Sequence, residues 1–212
     1  MSADASFVPA RSPWRRVAAT VAAVLLLGVG ILHAAFRQPR EVRNVHERTI
    51  AAGGAEVGRL LDTLGTEGDL MWRTDLVPAM VMSDGPRVGS SGGHGLVRYH
   101  VTAFEPGRRI EYTMEDGLGL AGTHTFTVSP GEGESTRIRH EIRGRLSGAM
   151  RWAWGPIVEP THDGVIEDVF DHVERVCTGE AHRVMRTPGW FRAFARPAAR
   201  AEAKRGGTFV RP

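Results

Sequence analysis

Four short segments between Leu96 and Leu146 alternate apolar and polar residues at every second position, and one amphipathic segment follows them. A period of two predicts half-buried strands, whereas apolar residues three and four positions apart predict a helix, here from Thr161 to Cys177. We expect Thr161 to cap this helix. Several strands followed by one long helix indicate an α+β domain in which a curved antiparallel sheet wraps around the helix, with a cavity between them.

The sequence predicts further elements around this pattern. Val42–Ile50 reads as a first strand and Ala55–Leu64 as a helix, and the stretch from residue 72 to 81 reads as a loop or short strand. Residues 83–95 are rich in glycine and serine and predict a turn. The four alternating strands are predicted at 96–104, 109–115, 122–128 and 136–143.

Four polar side chains fall on the predicted apolar face of the sheet. The hairpin around residues 106–107 sets Tyr99 and Tyr112 on this face. A turn centred between residues 131 and 133 would place His124 directly opposite His140. Three interpretations remain open: hydrogen-bonded residues of an ordinary core, polar groups that orient a ligand in an apolar pocket, and a metal site. The predicted ligand-binding residues are Trp72, Tyr99, Tyr112, Met114, His124, Phe126, His140, Trp152, Trp154 and Phe170.

The metal interpretation would add His162 and Asp163, at the start of the helix, to His124 and His140. No closely spaced pair of ligands supports it, so neither a metal nor another cofactor is predicted. As an enzyme, the protein would use His124 or His140 as a general acid or base, because histidine titrates near neutral pH. No third residue that would orient them can be assigned, and hydrolase, redox and zinc-protease motifs are absent from the sequence. The sequence therefore favours binding over catalysis.

Residues Val17–Phe36 form an uncharged apolar stretch, preceded by Trp14, Arg15 and Arg16. Twenty residues in a helix span about 30 Å, the thickness of the hydrocarbon layer. We expect a retained membrane anchor; a cleaved signal peptide is the alternative, although the cleavage site is poor. Arginines flank the stretch on both sides and leave its orientation open.

The carboxyl-terminal segment is strongly basic, with eight arginines and lysines against two acidic residues from Glu180 to Pro212. Such a tail is typical of contact with anionic lipid or nucleic acid, or of a solvated end. Because Trp190, Phe191 and Phe194 accompany the arginines, we expect contact with an anionic membrane surface and no nucleic-acid partner. That contact favours a cytoplasmic domain. Cys177 is the only cysteine, which excludes a disulfide within the chain.

The order of elements resembles that of the SRPBCC or START-like superfamily, which includes polyketide cyclases, dehydrases and lipid-transport proteins. The resemblance rests on ERTIAAGGAEVGRLL, the following Trp72, VTAFEPGRRIEY and THTFTVSPGEGESTRIRHEI. It implies a helix-grip fold and a hydrophobic small-molecule ligand, lipid-like or polyketide-like, and transfers no catalytic residue. A cyclase or dehydratase and a ligand-free protein-interaction domain are the alternatives. The predicted organisation is a basic segment (1–16), a membrane helix (17–36), a linker (37–41), the ligand-binding domain (42–178) and a basic, partly disordered tail (179–212).

Overall fold

A computed structural model describes residues 13–72, 76–115, 117–181, 189–191 and 193. The chain divides into two compact units, residues 1–38 and 39–212. The first contains helix α1 (Pro13–Arg37). Its residues Pro13–Ala35 are long and apolar enough to cross a membrane, a test that a signal sequence also passes.

The second unit is built on a seven-stranded antiparallel sheet with the order β1-β7-β6-β5-β4-β3-β2. A helix, α2 (Gly54–Leu61), follows the first strand, and helices α3 (Met150–Ala153) and α4 (Glu159–Thr178) follow the last. The strands are β1 (Arg40–Ile50), β2 (Val81–Met82), β3 (Ser91–His94), β4 (Val97–Glu105), β5 (Arg109–Met114), β6 (Leu120–Pro130) and β7 (Thr136–Leu146).

One face of the sheet is apolar and packs with the helices, as the alternation predicts. Along β7 the buried and exposed positions alternate, and Ile138 and Ile142 are almost completely buried. The apolar side of α4 contributes Ile166, Phe170 and Val173 to the same core. The predicted α+β fold, a curved antiparallel sheet with a long carboxyl-terminal helix, is confirmed.

The segment predicted as a turn at residues 83–95 contains a strand instead. Its last residues form β3, which pairs with β2 and β4. Gly92 and Gly93 make this pairing possible, because a Cβ atom at either position would collide with a backbone carbonyl of the neighbouring strand. Glycine here indicates a close approach of strands rather than a break between them.

The register of β6 and β7 differs by two residues from the predicted one. His124 pairs with Ile142, and His140 pairs with Phe126. The connecting turn comprises residues 131–135 and is centred on Gly133, which has a φ angle of +61°. A shift of two residues keeps every side chain on its face. His124 and His140 are therefore diagonal neighbours rather than direct partners.

The last helix begins earlier than predicted. The chain turns helical at Met150, passes through a π-helical segment, Trp154–Val158, and continues as α4. Thr161 consequently lies inside the helix and does not cap it. The helix ends at Gly179, whose φ angle of +83° is typical of a helix carboxyl terminus.

Candidate functional site

A row of polar residues joins β1 to α4 in the interior of the domain. Asn44, His46 and Arg48 occupy alternate positions on the inward face of β1. Four carboxylates face them from α4, where spacings of three and four residues place side chains on one side of a helix. These residues are Asp163, Glu167, Asp171 and Glu174.

Arg48 is the central cation of this row. Its Nη2 atom donates a hydrogen bond to Glu167 at 2.6 Å, and its Nη1 atom donates to Asp171 at 2.6 Å and to Glu174 at 3.2 Å. Only 7% of the Arg48 side chain is exposed. A buried charge is tolerated when it is paired and hydrogen-bonded, and Arg48 meets both conditions.

His46 is held between two carboxylates. Its Nδ1 atom lies 2.6 Å from Glu167 and its Nε2 atom 3.0 Å from Asp163, which also accepts a hydrogen bond from Asn44. Burial by itself would lower the pKa of His46, but the hydrogen bonds to Asp163 and Glu167 raise this pKa to about 9. His46 is therefore an imidazolium cation at neutral pH.

Three further histidines converge beside this row. His124 projects from β6, His140 from β7 and His162 from α4, and their ring centroids are 5.0 to 5.7 Å apart. The pairing of β1 with β7 places His46 directly opposite His140. The sheet and the helix thus bring together residues that are far apart in the sequence.

Burial keeps these three rings neutral. It lowers the pKa of His124 and of His140 well below the usual range, and the nearby His162 lowers both further. Burial also lowers the pKa of His162. Its Nδ1 atom lies 3.8 Å from Asp163, too far for a hydrogen bond.

Some of these rings are not completely buried. The side chain of His162 is 15% exposed, and His124 and His94 also keep accessible surface. By contrast, His140 and Tyr112 have no accessible surface.

An aromatic row continues from the histidines towards Trp72. The ring of His124 lies 5.3 Å from that of Tyr99, whose hydroxyl is hydrogen-bonded to His94 at 2.8 Å. The ring of His94 lies 5.1 Å from that of Trp72. Burial raises the pKa of Tyr99 and Tyr112, so both phenols stay protonated.

The structure places most of the predicted ligand-binding residues in one core, with very different access to solvent. Trp152 is exposed (61%), and His124 keeps some accessible surface. The rest are 7% exposed or less: Trp72, Tyr99, Tyr112, Met114, Phe126, His140, Trp154 and Phe170. Of the metal candidates, His124, His140 and His162 come together, while Asp163 binds His46 and Asn44.

Two surface grooves lie elsewhere. One, of about 1280 Å³, is lined by residues 51–55, 106–108 and 128–136 apart from 131. The other, of about 940 Å³, lies between residues 62–67 and 81–87. Neither groove contains a predicted ligand-binding residue.

Sequence reasoning missed the residues of β1 and β3. The inward face of β1 carries polar residues between Val42 and Ile50, namely Asn44, His46 and Arg48. Polar residues at alternate positions of a strand could have indicated this site from the sequence. The repeated acidic residues of α4 were a second signal, because they share one side of that helix. His94 carried no signal, since its segment was read as a turn.

Comparisons with known proteins agree with this architecture. No family model matches the sequence, and no curated protein matches it. Truncated norcoclaurine synthase from Thalictrum flavum is similar at 15% identity and a TM-score of 0.51, over 66% of this chain and 96% of that chain. A protein from Nitrosospira multiformis is similar at 14% identity and a TM-score of 0.51, over 65% of this chain and 97% of that one. The domain has a helix-grip fold. At these identities the similarity shows the fold alone.

Proposed function

We propose that the SRPBCC-type domain binds a hydrophobic small molecule, lipid-like or polyketide-like, whose polar group contacts His124. The accessible surface that His124 keeps among buried core residues supports the proposal. Ligand sites are typically apolar with a few polar groups that fix orientation. The aromatic neighbour Tyr99 supplies apolar wall beside His124.

The proposed pocket would open where the start of β6 lies beside the end of β7. At this end Leu120, Met150 and Val158 are partly buried hydrophobic residues that pack against the core. The helical segment that carries Met150 and Val158 lies between β7 and α4 in the chain. Such apolar side chains at the rim can separate on entry of a ligand without exposing buried charge.

Binding is tested with the chain from Pro39, which contains the whole compact unit. We expect lipid to co-purify with it, detected by mass spectrometry, and a fluorescent fatty acyl probe to bind. His124→Ala should weaken binding of a carboxylate-bearing probe by about 10-fold, the cost of one hydrogen bond to a charged group. His100→Ala is the matched control, because His100 lies on the opposite face of β4 from Tyr99.

The absence of both co-purified lipid and probe binding would refute the proposed ligand class. An alternative cyclase or dehydratase would bind its substrate and convert it. Burial lowers the pKa of His124 and His140 well below neutrality. As general bases they would be weak, since the favoured pKa lies near the working pH. This direction of the pKa values supports binding rather than acid–base catalysis.

We further propose that α1 tethers this domain to a membrane, which would keep a carrier close to hydrophobic cargo. The support is the length and apolar composition of Pro13–Ala35. A reporter fused after Pro212 tests the orientation: fluorescent GFP indicates a cytoplasmic domain, whereas alkaline phosphatase activity indicates export. Recovery of the protein in the soluble fraction, with α1 removed, would show that α1 is a cleaved signal.

Contact of the basic tail with an anionic membrane is also a proposal. Trp190 is 48% exposed, whereas Phe191 packs against the domain core. Phe194 and all the arginines and the lysine of the tail lie outside the described residues. Sedimentation with liposomes should depend on anionic lipid and decrease with salt. Sedimentation that is indifferent to both would contradict the proposal.

A further inference from the structure

The three converging histidines present ring nitrogens to one another. One nitrogen from each of His124, His140 and His162 can be chosen so that all three lie within 4.8 Å of one another. The rings come from three different elements: β6, β7 and α4. Their convergence therefore depends on the packing of the helix against the sheet, not on a local turn.

The nitrogens of two of these rings have no hydrogen-bond partners among the described residues. Both nitrogens of His140 and both nitrogens of His162 are buried in this state. A neutral imidazole has one donor and one acceptor, and buried polar atoms are nearly always paired. The unpaired nitrogens point to a ligand that accepts electron pairs from imidazole.

We propose that His124, His140 and His162 bind one divalent first-row transition-metal ion. Neutral imidazole nitrogens suit such ions, Zn²⁺ above all. In a tetrahedral zinc site with bonds of about 2.1 Å, nitrogen ligands lie roughly 3.4 Å apart. The ring nitrogens need to approach one another by up to about 1.4 Å to reach this geometry, which side-chain rotations can provide.

Among the described residues this set supplies three ligands, which leaves one position of a tetrahedral ion for another ligand. Three protein ligands and one open position are typical of catalytic rather than structural zinc sites. Because His124 keeps accessible surface, a water molecule or the polar group of a bound molecule can approach the ion from the side of this ring. The metal site does not depend on the proposed ligand, and it can be tested without one.

A second set of residues, His46, His162 and Asp163, is also close enough to hold an ion. Both nitrogens of His46 are already hydrogen-bonded to carboxylates, at 2.6 and 3.0 Å. An ion there would have to displace both contacts. His124 and His140 have no hydrogen bonds to carboxylates within the described part of the chain, so the three-histidine set is the site we assign.

The test uses the full chain, purified in detergent with an affinity tag that contains no histidine. After treatment with EDTA and its removal, the protein is titrated with ZnCl₂, and bound zinc is measured by mass spectrometry after desalting. We expect about one ion per chain. Replacement with Co²⁺ should give the visible absorption bands of a tetrahedral nitrogen-ligated ion.

Matched variants distinguish this site from its neighbours. His124→Gln and His140→Gln should each weaken Zn²⁺ binding by at least about 100-fold, whereas His46→Gln and His100→Gln should retain it. Circular dichroism identifies any variant that fails to fold. If His140→Gln fails to fold, the result for His124→Gln decides, because the ring of His124 is not completely buried and its replacement should disturb the core less. Zn²⁺ should raise the melting temperature of the wild type and of His46→Gln, in which the three-histidine site is intact. It should not raise that of His124→Gln or His140→Gln.

Two outcomes would overturn the proposal. One is a wild-type protein that binds no stoichiometric Zn²⁺ or Co²⁺ after metal removal. The other is loss of the ion in His46→Gln with retention in His124→Gln, which would place the ion at the second set of residues. Failure of the fatty acyl probe to bind would affect only the proposed function, since zinc is measured without that probe.

Discussion

Replacement of Arg48 should show how strongly the interior charges hold α4 against the sheet. Arg48→Met keeps most of the side-chain volume and removes the charge. Its guanidinium donates to Glu167, Asp171 and Glu174 at 2.6 to 3.2 Å, and only 7% of it is exposed. Removing one partner of a buried ion pair leaves uncompensated charge and costs about 3–5 kcal/mol. We expect the free energy of unfolding to fall by this amount.

Arg43→Met is the matched control, because Arg43 lies on the same strand but on the outer face. Its bond to Glu141 is 2.7 Å long, yet 57% of its side chain is exposed. Exposed pairs contribute about 0–1 kcal/mol. Urea unfolding of the chain from Pro39, followed by tryptophan fluorescence, measures both variants.

A third variant separates charge from geometry. Arg48→Lys keeps the positive charge but cannot reproduce the planar set of donors, so it should recover only part of the loss. A loss of about 3–5 kcal/mol can unfold a domain of ordinary stability even without urea. If Arg48→Met is unfolded in this way, the unfolding of Arg48→Lys can still be measured. If Arg48→Met and Arg43→Met differ by less than about 1 kcal/mol, the interior row contributes no more than surface pairs, and the reasoning is wrong.

Other positions give further predictions for the same unfolding assay. Trp154→Ala should cost about 3–5 kcal/mol because Trp154 is 1% exposed, whereas Trp152→Ala, at a position 61% exposed, should change stability by less than about 0.5 kcal/mol. Gly58→Ala should cost about 1–3 kcal/mol, since its Cβ would lie 2.5 Å from a backbone oxygen of the β4–β5 turn; an equal loss in Gly53→Ala, where nothing lies within 4 Å, would refute this cause. The pKa of His46 is raised to about 9 in the folded protein. Its stabilising contribution is therefore complete below pH 6.5 and is lost as the pH rises to about 9. In protein treated with EDTA, the urea concentration at the midpoint of unfolding should fall over this pH range. An equal fall in His46→Gln would exclude His46 as the cause.

Local periodicity was sufficient to predict which side of each long strand is buried. In β5, for example, Ile110, Tyr112 and Met114 are buried as the alternation requires. Periodicity failed where the backbone departs from a regular element. Because the turn is centred on Gly133, the register of β6 and β7 differs by two residues from the predicted one. The glycines of β3 led to the prediction of a turn where the structure has a strand.

By itself the sequence determined the α+β architecture, the inward-facing histidines and an apolar helix of membrane-spanning length. Only the tertiary structure decided that α4 lies along β1, where His46 and Arg48 meet its carboxylates across more than a hundred residues of chain. The same packing brings His162 to His124 and His140. The periodicity of polar and apolar residues shows which face of a strand or helix a side chain occupies. It carries no information about which distant element will pack against that face.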